Sequence, residues 1–228
     1  MFEVNLIGRK KPKKRANNNL LMHFDGVSGS TTFKDEYAGN GDILTLGSPK
    51  LTGEQSKFGN SSGKFLNESL KLELPIVLAG DYTVSGWLRL LAYPANATVL
   101  ALVCDETSPG QPTFIPISIL ASSGSVYLAR WIASINPNPL ALVAVGYPLN
   151  TWGHLASTRQ GNIYRNFFNG KLVQELTIDI PKNNKITHLL HHNGVTSRLN
   201  GYADEIEVLD GTAKYLADFT PPTAPFTI

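Results

Sequence analysis

Apolar and polar residues alternate along much of this chain. In "SLKLELP" Leu70, Leu72 and Leu74 share one face of an extended segment, with Lys71 and Glu73 on the other, the period-two pattern of a half-buried strand. The same alternation runs through "DYTVSGWLRLL" (81–91) and "SVYLARWIA" (125–133). "LLMHFDG" (20–26) predicts a short apolar strand that ends in an Asp-Gly turn. In "YRNFFNGKLVQEL" (164–176) two apolar runs flank Asn169 and Gly170, residues able to take φ > 0, which predicts a type I′ hairpin. Runs such as "GVSGSTT", "GNGD" and "GNSSGK" break the early strands about every ten residues. No helical period lasts three turns and no internal repeat is present. The pattern therefore predicts an antiparallel all-β protein, a two-sheet jelly-roll sandwich.

Composition agrees with one turn-rich domain. Of 228 residues 42% are hydrophobic and 17% charged, enough apolar material for a core, and 20 Gly and 14 Pro suit many turns better than long helices. No run reaches the ~18 apolar residues of a membrane span, so no membrane partner is expected. The opening "MFEVNLIGRKKPKKR" places its charge after a short apolar stretch, unlike a secretion signal. Cys104 is the sole cysteine, which excludes an intramolecular disulfide, fits a reducing compartment and reads as buried filler. The N-x-S/T triplets at Asn60, Asn67 and Asn96 are the chance matches of a Ser/Thr-rich chain.

Charge divides the chain. Arg9, Lys10, Lys11, Lys13, Lys14 and Arg15 against Glu3 leave residues 1–19 at +5 and the remainder at −3. Residues 1–19 thus read as a basic extended N-terminal arm and residues 20–228 as the folded domain. The arm could be a nucleic-acid or nuclear-localisation patch, a solvated tail, or a tether that orders on a neighbouring subunit. Nothing aromatic is interleaved for base stacking and the body is acidic, which argues against nucleic acid and favours the tether.

Three segments in this order, "DYTVSGWLRL", "WGHLASTRQGNIYRNFFNGKLV" and "NGYADEIEVLDGTAKYLADFTPPTAPF", together with the opening "LLMHFDG", resemble the concanavalin A-like, laminin G-type jelly rolls across residues 20–226. The closing "FTPPTAPF" is similar to the ends of such domains in bacteriophage structural proteins. The resemblance implies two packed antiparallel sheets whose concave face or rim loops often bind glycans, and a scaffold role for His154 in "WGHLA". Fold of this kind serves adhesive, structural and enzymatic proteins alike.

Three carboxylates, Asp204, Glu205 and Glu207, crowd "GYADEIEVLDG". On a regular strand Asp204, Ile206 and Val208 share one face, and Glu205, Glu207 and Leu209 the other. Glucanases of the same fold class carry patterns resembling E-x-D-x-E or E-x-D-x-x-E, and a retaining pair stands roughly 5 to 5.5 Å apart; for the longer pattern Asp210 falls off the face, in an Asp-Gly turn. Leu209 occupies the place of a third acid, so the trio reads as the edge or outward face of the last strand. First and last strands are commonly neighbours in a jelly roll, so Asp25 and Asp204 are expected to meet, around backbone amides or around a structural Ca²⁺, the one cofactor left open. His188, His191 and His192 in "THLLHHNG" lack metal-motif context and read as a surface loop. Tyr93, Tyr127, Trp131 and Tyr147 are the candidate glycan-stacking rings, set against core packing as the alternative.

The function expected from these features is a non-enzymatic bacteriophage virion protein, on capsid or tail. It would be bound to other virion proteins through its arm, homo-oligomeric, and able to adhere to host-surface glycans. A glucanase or lyase of the same fold, and a stand-alone bacterial lectin-like module, remain the alternatives.

Overall fold

A computed structural model describes residues 14–94, 98–108, 111–122, 125–132, 143–179, 183–191 and 198–228. The described residues contain fifteen strands and no helix, as the alternation predicts: β1 (Leu20–Met22), β2 (Ile43–Leu46), β3 (Lys50–Thr52), β4 (Ser62–Leu78), β5 (Tyr82–Leu90), β6 (Thr98–Ala101), β7 (Val103–Ser108), β8 (Gln111–Ser122), β9 (Ser125–Ile132), β10 (Val143–Ala144), β11 (Trp152–Gln160), β12 (Ile163–Phe168), β13 (Lys171–Thr177), β14 (Asn184–Leu189) and β15 (Leu199–Asp210). Every pairing is antiparallel, along the path β10-β9-β8-β7-β14-β4-β15-β5-β11-β12-β13.

Strand β4 turns this path into a sandwich. Its first half pairs with β15 and β3, its second with β14 and β2. Asn67 at the bend has φ +62, and the inward residues change from odd (Phe65) to even (Leu70, Leu72) across it. Asparagine tolerates that left-handed conformation better than most residues. The core lies between the layers. Val84, Leu88, Leu155, Ile206 and Val208 come from one, Leu72, Val103, Ile117, Ile119 and Ile186 from the other. Tyr82 joins them, its ring 6.0 Å from Phe114 and 6.4 Å from Tyr164.

The hairpin is the predicted one. Asn169 (φ +47) and Gly170 (φ +78) link Phe168 and Lys171, which pair directly. Past β15 the chain crosses the outer face of the first layer. Thr83 Oγ1 donates to Thr212 O, Thr158 Oγ1 to Tyr215 O, and Phe219 N to Gly170 O. The rings of Tyr215 and Phe219 stack 3.8 Å apart and cover Phe167 and Ala156. This strap covers the second face of β5 and β11, whose residues are buried on both sides except Arg89, Trp152 and Gln160.

Residues 15–19 belong to the domain, a correction to the boundary at 19. Arg15 is 7% exposed, and its guanidinium donates to the carbonyls of Asn17, Asn19, Asn40 and Leu74 and to Asp35 Oδ2 at 2.7 Å. It is therefore a structural residue rather than a docking cation. Of the other expected arm residues, Lys14 is exposed, while Arg9, Lys10, Lys11 and Lys13 lie outside the described residues.

Candidate functional site

The acidic cluster of β15 is built by a bulge. Asp204 pairs with Trp87 and Glu207 with Ser85, so Glu205 and Ile206 together face Gly86, and Glu205 takes φ +50. The extra residue resets the alternation. Ile206 and Val208 enter the core, while Asp204 and Glu207 lie with Trp87 and Ser85 on the outer face. The regular-strand assignment, with Asp204 beside Ile206, is overturned.

The acids are also buried, not solvated: Asp204 is 0%, Glu205 1% and Glu207 4% exposed. Strand β15 lies between β4 and β5, so the expected edge position is corrected too. Buried carboxylates need partners, and each has them. Glu205 Oε1 lies 2.8 Å from His23 Nδ1, and its Oε2 accepts from the Phe226 amide of the strap at 2.8 Å. Glu207 accepts from Ser85 Oγ and from Lys214 Nζ at 3.1 Å. Asp204 Oδ2 accepts from the amides of Lys57 (2.7 Å) and Phe58 (3.2 Å). Burial, opposed by those two amides, pushes the Asp204 pKa up to about 7; burial also raises that of Glu205. His23 and Lys214 escaped the sequence reading because only the β1–β15 register and the path of the strap bring them to these acids.

The Asp25 carboxylate packs against Gly59, where a Cβ would collide with it, beside the Phe58 amide that Asp204 accepts from, and it adds to the upward push on Asp204. One Asp204 oxygen is on amides, as an amide cap requires, but the buried Oδ1 has no hydrogen-bond partner among the described residues. That oxygen and the exposed Asp25 carboxylate fit what an oxygen-seeking Ca²⁺ would take.

The candidate stacking rings separate. Tyr147 is 2% exposed, donates its hydroxyl to Leu88 O at 2.7 Å and packs on Phe168, so it is a core residue and not a glycan plate. Tyr93 is 41% exposed, and its hydroxyl donates to Tyr147 O at 2.8 Å, which fixes the ring at the rim. Tyr127 is half-buried on β9, paired with Leu120 and Ala144. Trp131 pairs with Ile115 through its backbone; its side chain lies outside the described residues. His154 is buried scaffold, its ring 5.0 Å from that of Trp87. Cys104 is a buried free thiol whose pKa burial raises further. His188 and His191 are not in a surface loop: His188 lies in β14, His191 follows the strand by two residues, and both are buried. His192 lies outside the described residues.

Residues 62–214 match the Laminin_G_3 family, the concanavalin A-like lectin/glucanases superfamily. No curated protein matches the sequence. Among solved structures the chain is similar to domain 4 of AbnA, a GH43 extracellular arabinanase from Geobacillus stearothermophilus, in complex with arabinotriose. The TM-score is 0.55 at 16% identity over 79% of this chain and 87% of that one. It is also similar to the binding domain of Paraclostridial Mosquitocidal Protein 1 (TM-score 0.56, 12% identity, 88% of this chain) and to the receptor binding domain of botulinum neurotoxin type G (0.51, 12%, 85%). It spans about half the length of these two, 49% and 47%. At such identities the likeness is one of fold. No helix among the described residues is long and apolar enough to cross a membrane.

Proposed function

This chain belongs to the concanavalin A-like lectin/glucanases superfamily, and from that premise we propose that it is a non-enzymatic glycan-binding module of a bacteriophage particle. The observation that carries the binding part is Tyr93. Its ring is exposed at a rim and its hydroxyl is tied to the Tyr147 carbonyl. A ring oriented before binding loses little freedom when a sugar stacks on it. The structural neighbour solved with arabinotriose supports a glycan as the ligand class.

Support for the non-enzymatic part comes from the acids. A glycosidase needs one carboxyl poised to give a proton and another free to attack or to activate water. Here Glu205 and Glu207 are occupied by His23, Phe226, Ser85 and Lys214 beneath the strap. The virion role rests on the basic segment before Arg15 and on the resemblance of "FTPPTAPF" to phage structural proteins. On this reading other virion proteins hold the arm, copies of the chain associate, and a structural Ca²⁺ joins Asp25 to Asp204 Oδ1.

A panel of plant and bacterial polysaccharides and gangliosides tests the proposal. Saturable binding without release of reducing sugar, lost in Tyr93→Ala but retained in Tyr127→Ala, is expected. Release of reducing sugar, or binding indifferent to Tyr93, overturns it. Mass spectrometry of purified particles that lack the chain overturns the virion role alone.

A further inference from the structure

A second cluster of ionisable side chains lies away from the β15 acids, where β7 meets β14. His188 pairs directly with Cys104, so His188, Cys104 and Glu106 fall on one face of this layer. His191 follows His188 by three residues and on a regular strand would point the other way. Leu190, at φ +57, resets the alternation. Leu189 and Leu190 both enter the core, and His191 returns to the side of His188, the two rings stacked with centroids 4.9 Å apart and 28° between planes.

Both imidazoles face the same carboxylate. Glu106 Oε2 lies 2.6 Å from His191 Nε2 and 3.7 Å from His188 Nε2, and the donor atoms of all three residues fall within 4.8 Å of one another. The far ring nitrogens are held by hydroxyls. His188 Nδ1 is 2.8 Å from Thr187 Oγ1, and His191 Nδ1 is 3.3 Å from Ser69 Oγ. Thr187 Oγ1 also accepts from the backbone amide of Glu106 at 2.8 Å, so one hydroxyl positions two members of the cluster.

We propose that Glu106, His188 and His191 bind a Zn²⁺ ion through one carboxylate oxygen and two Nε2 atoms, with water as the fourth ligand. Zn–N and Zn–O bonds of about 2.0 to 2.2 Å place tetrahedral ligand atoms about 3.3 Å apart. The distances of 2.6 and 3.7 Å straddle that value, so shifts of under about 1 Å admit the ion. With zinc on each Nε2, each Nδ1 carries the proton and donates to its hydroxyl, the outer arrangement that fixes tautomer and ring orientation at histidine metal sites. Two nitrogens and one oxygen do not suit Ca²⁺ or Mg²⁺, which prefer oxygen. This site is therefore separate in place and chemistry from the Asp25–Asp204 pair.

The test uses the full chain without an affinity tag, stripped with EDTA and titrated with ZnCl₂ by calorimetry at neutral pH, and with Co²⁺ by visible absorption. Expected are one Zn²⁺ per chain, a higher melting temperature with Zn²⁺, and the intense visible bands of tetrahedral Co²⁺. Glu106→Gln, which keeps the side-chain shape, should weaken Zn²⁺ binding about tenfold or more, as should His188→Asn. Ser69→Ala should weaken it by about 10- to 100-fold without removing a ligand. His23→Gln, outside the cluster, should leave it unchanged, and CaCl₂ should not displace Co²⁺. Near-UV circular dichroism identifies any variant that fails to fold, and Glu106→Gln with Ser69→Ala then decide. Absence of a one-to-one complex at about 100 μM Zn²⁺, well above the Kd of any built zinc site, overturns the proposal. So does a complex that both folded variants retain at full affinity.

Discussion

His154 shows what a residue on the outer face of this sandwich experiences. It is fully buried, neither ring nitrogen has a hydrogen-bond partner among the described residues, and its ring sits among those of Trp87, Phe219 and Tyr215 at 5.0, 5.7 and 6.2 Å. Burial, reinforced by Lys214 and Lys57, lowers its pKa from 6.5 to about 3. Above pH 6.5 the ring is neutral in folded and unfolded chains and stability does not depend on it. As pH falls from 6.5 towards 3 the unfolded chain takes up a proton that the folded one refuses, so stability is lost, at up to about 1.4 kcal/mol per pH unit. His154→Phe removes both the orphaned nitrogens and the titration. Urea midpoints should show the variant at least as stable as the native chain at pH 7 and clearly more stable at pH 4; an equal gain at both pH values would contradict this origin of acid sensitivity. The position was legible as scaffold from "WGHLA"; its aromatic surroundings were not, because Tyr215 and Phe219 arrive from some sixty residues away.

At the scale of elements, the local pattern of the sequence locates strands and one turn. Period-two alternation marks β4, β5 and β9, and Asn169-Gly170 marks its own turn because those two residue types accept φ > 0. The two kinks that build the ionisable clusters were invisible. Glu205 (φ +50) and Leu190 (φ +57) adopt a left-handed conformation that neither residue type favours, so "ADEIE" and "HLLHH" look like ordinary strand. One inserted residue flips every later side chain to the other face, which is why Asp204 and Glu207 lie together and why His191 returns to His188. The strap was equally hidden, since its destination is set by tertiary contacts. Gly170 links the two: a Cβ there would overlap the Phe219 carbonyl oxygen. Tyr215 is the strap's main anchor, stacked on Phe219 and edge-on to Phe167 at 6.2 Å. Tyr215→Ala should lower stability by about 3 kcal/mol, the order found for deletion of a large buried ring. Denaturant titration measures it, and a loss under about 1 kcal/mol would mean that the strap is not part of the folded unit.

At the scale of the whole molecule, the question is where the domain begins. The charge run from Arg9 to Arg15 looks uniform in sequence, yet its last member has another role. Between Ile76–Ile186 and Lys71–His188 the β4–β14 ladder is interrupted next to Pro75, which has no amide hydrogen to donate. Arg15 Nη1 donates to the carbonyl of Leu74 in that gap, at 3.1 Å, while Nη2 pairs with Asp35. Asp35 in turn accepts from the Leu21 and Tyr37 amides and from Asn40 Nδ2, so one ion pair ties the start of the chain, the 35–40 loop and β4 together. Loss of one member of a buried pair costs about 3 to 5 kcal/mol, because the other is left uncompensated. Arg15→Met should therefore lower the melting temperature sharply. Deletion of residues 1–13, which removes Arg9, Lys10, Lys11 and Lys13, should leave it unchanged and abolish incorporation into particles. Thermal melts beside a particle-incorporation assay separate the two roles. A deletion variant that melts with the native chain yet still incorporates would sink the tether, whereas an Arg15→Met variant as stable as the native chain would place Arg15 back in the arm.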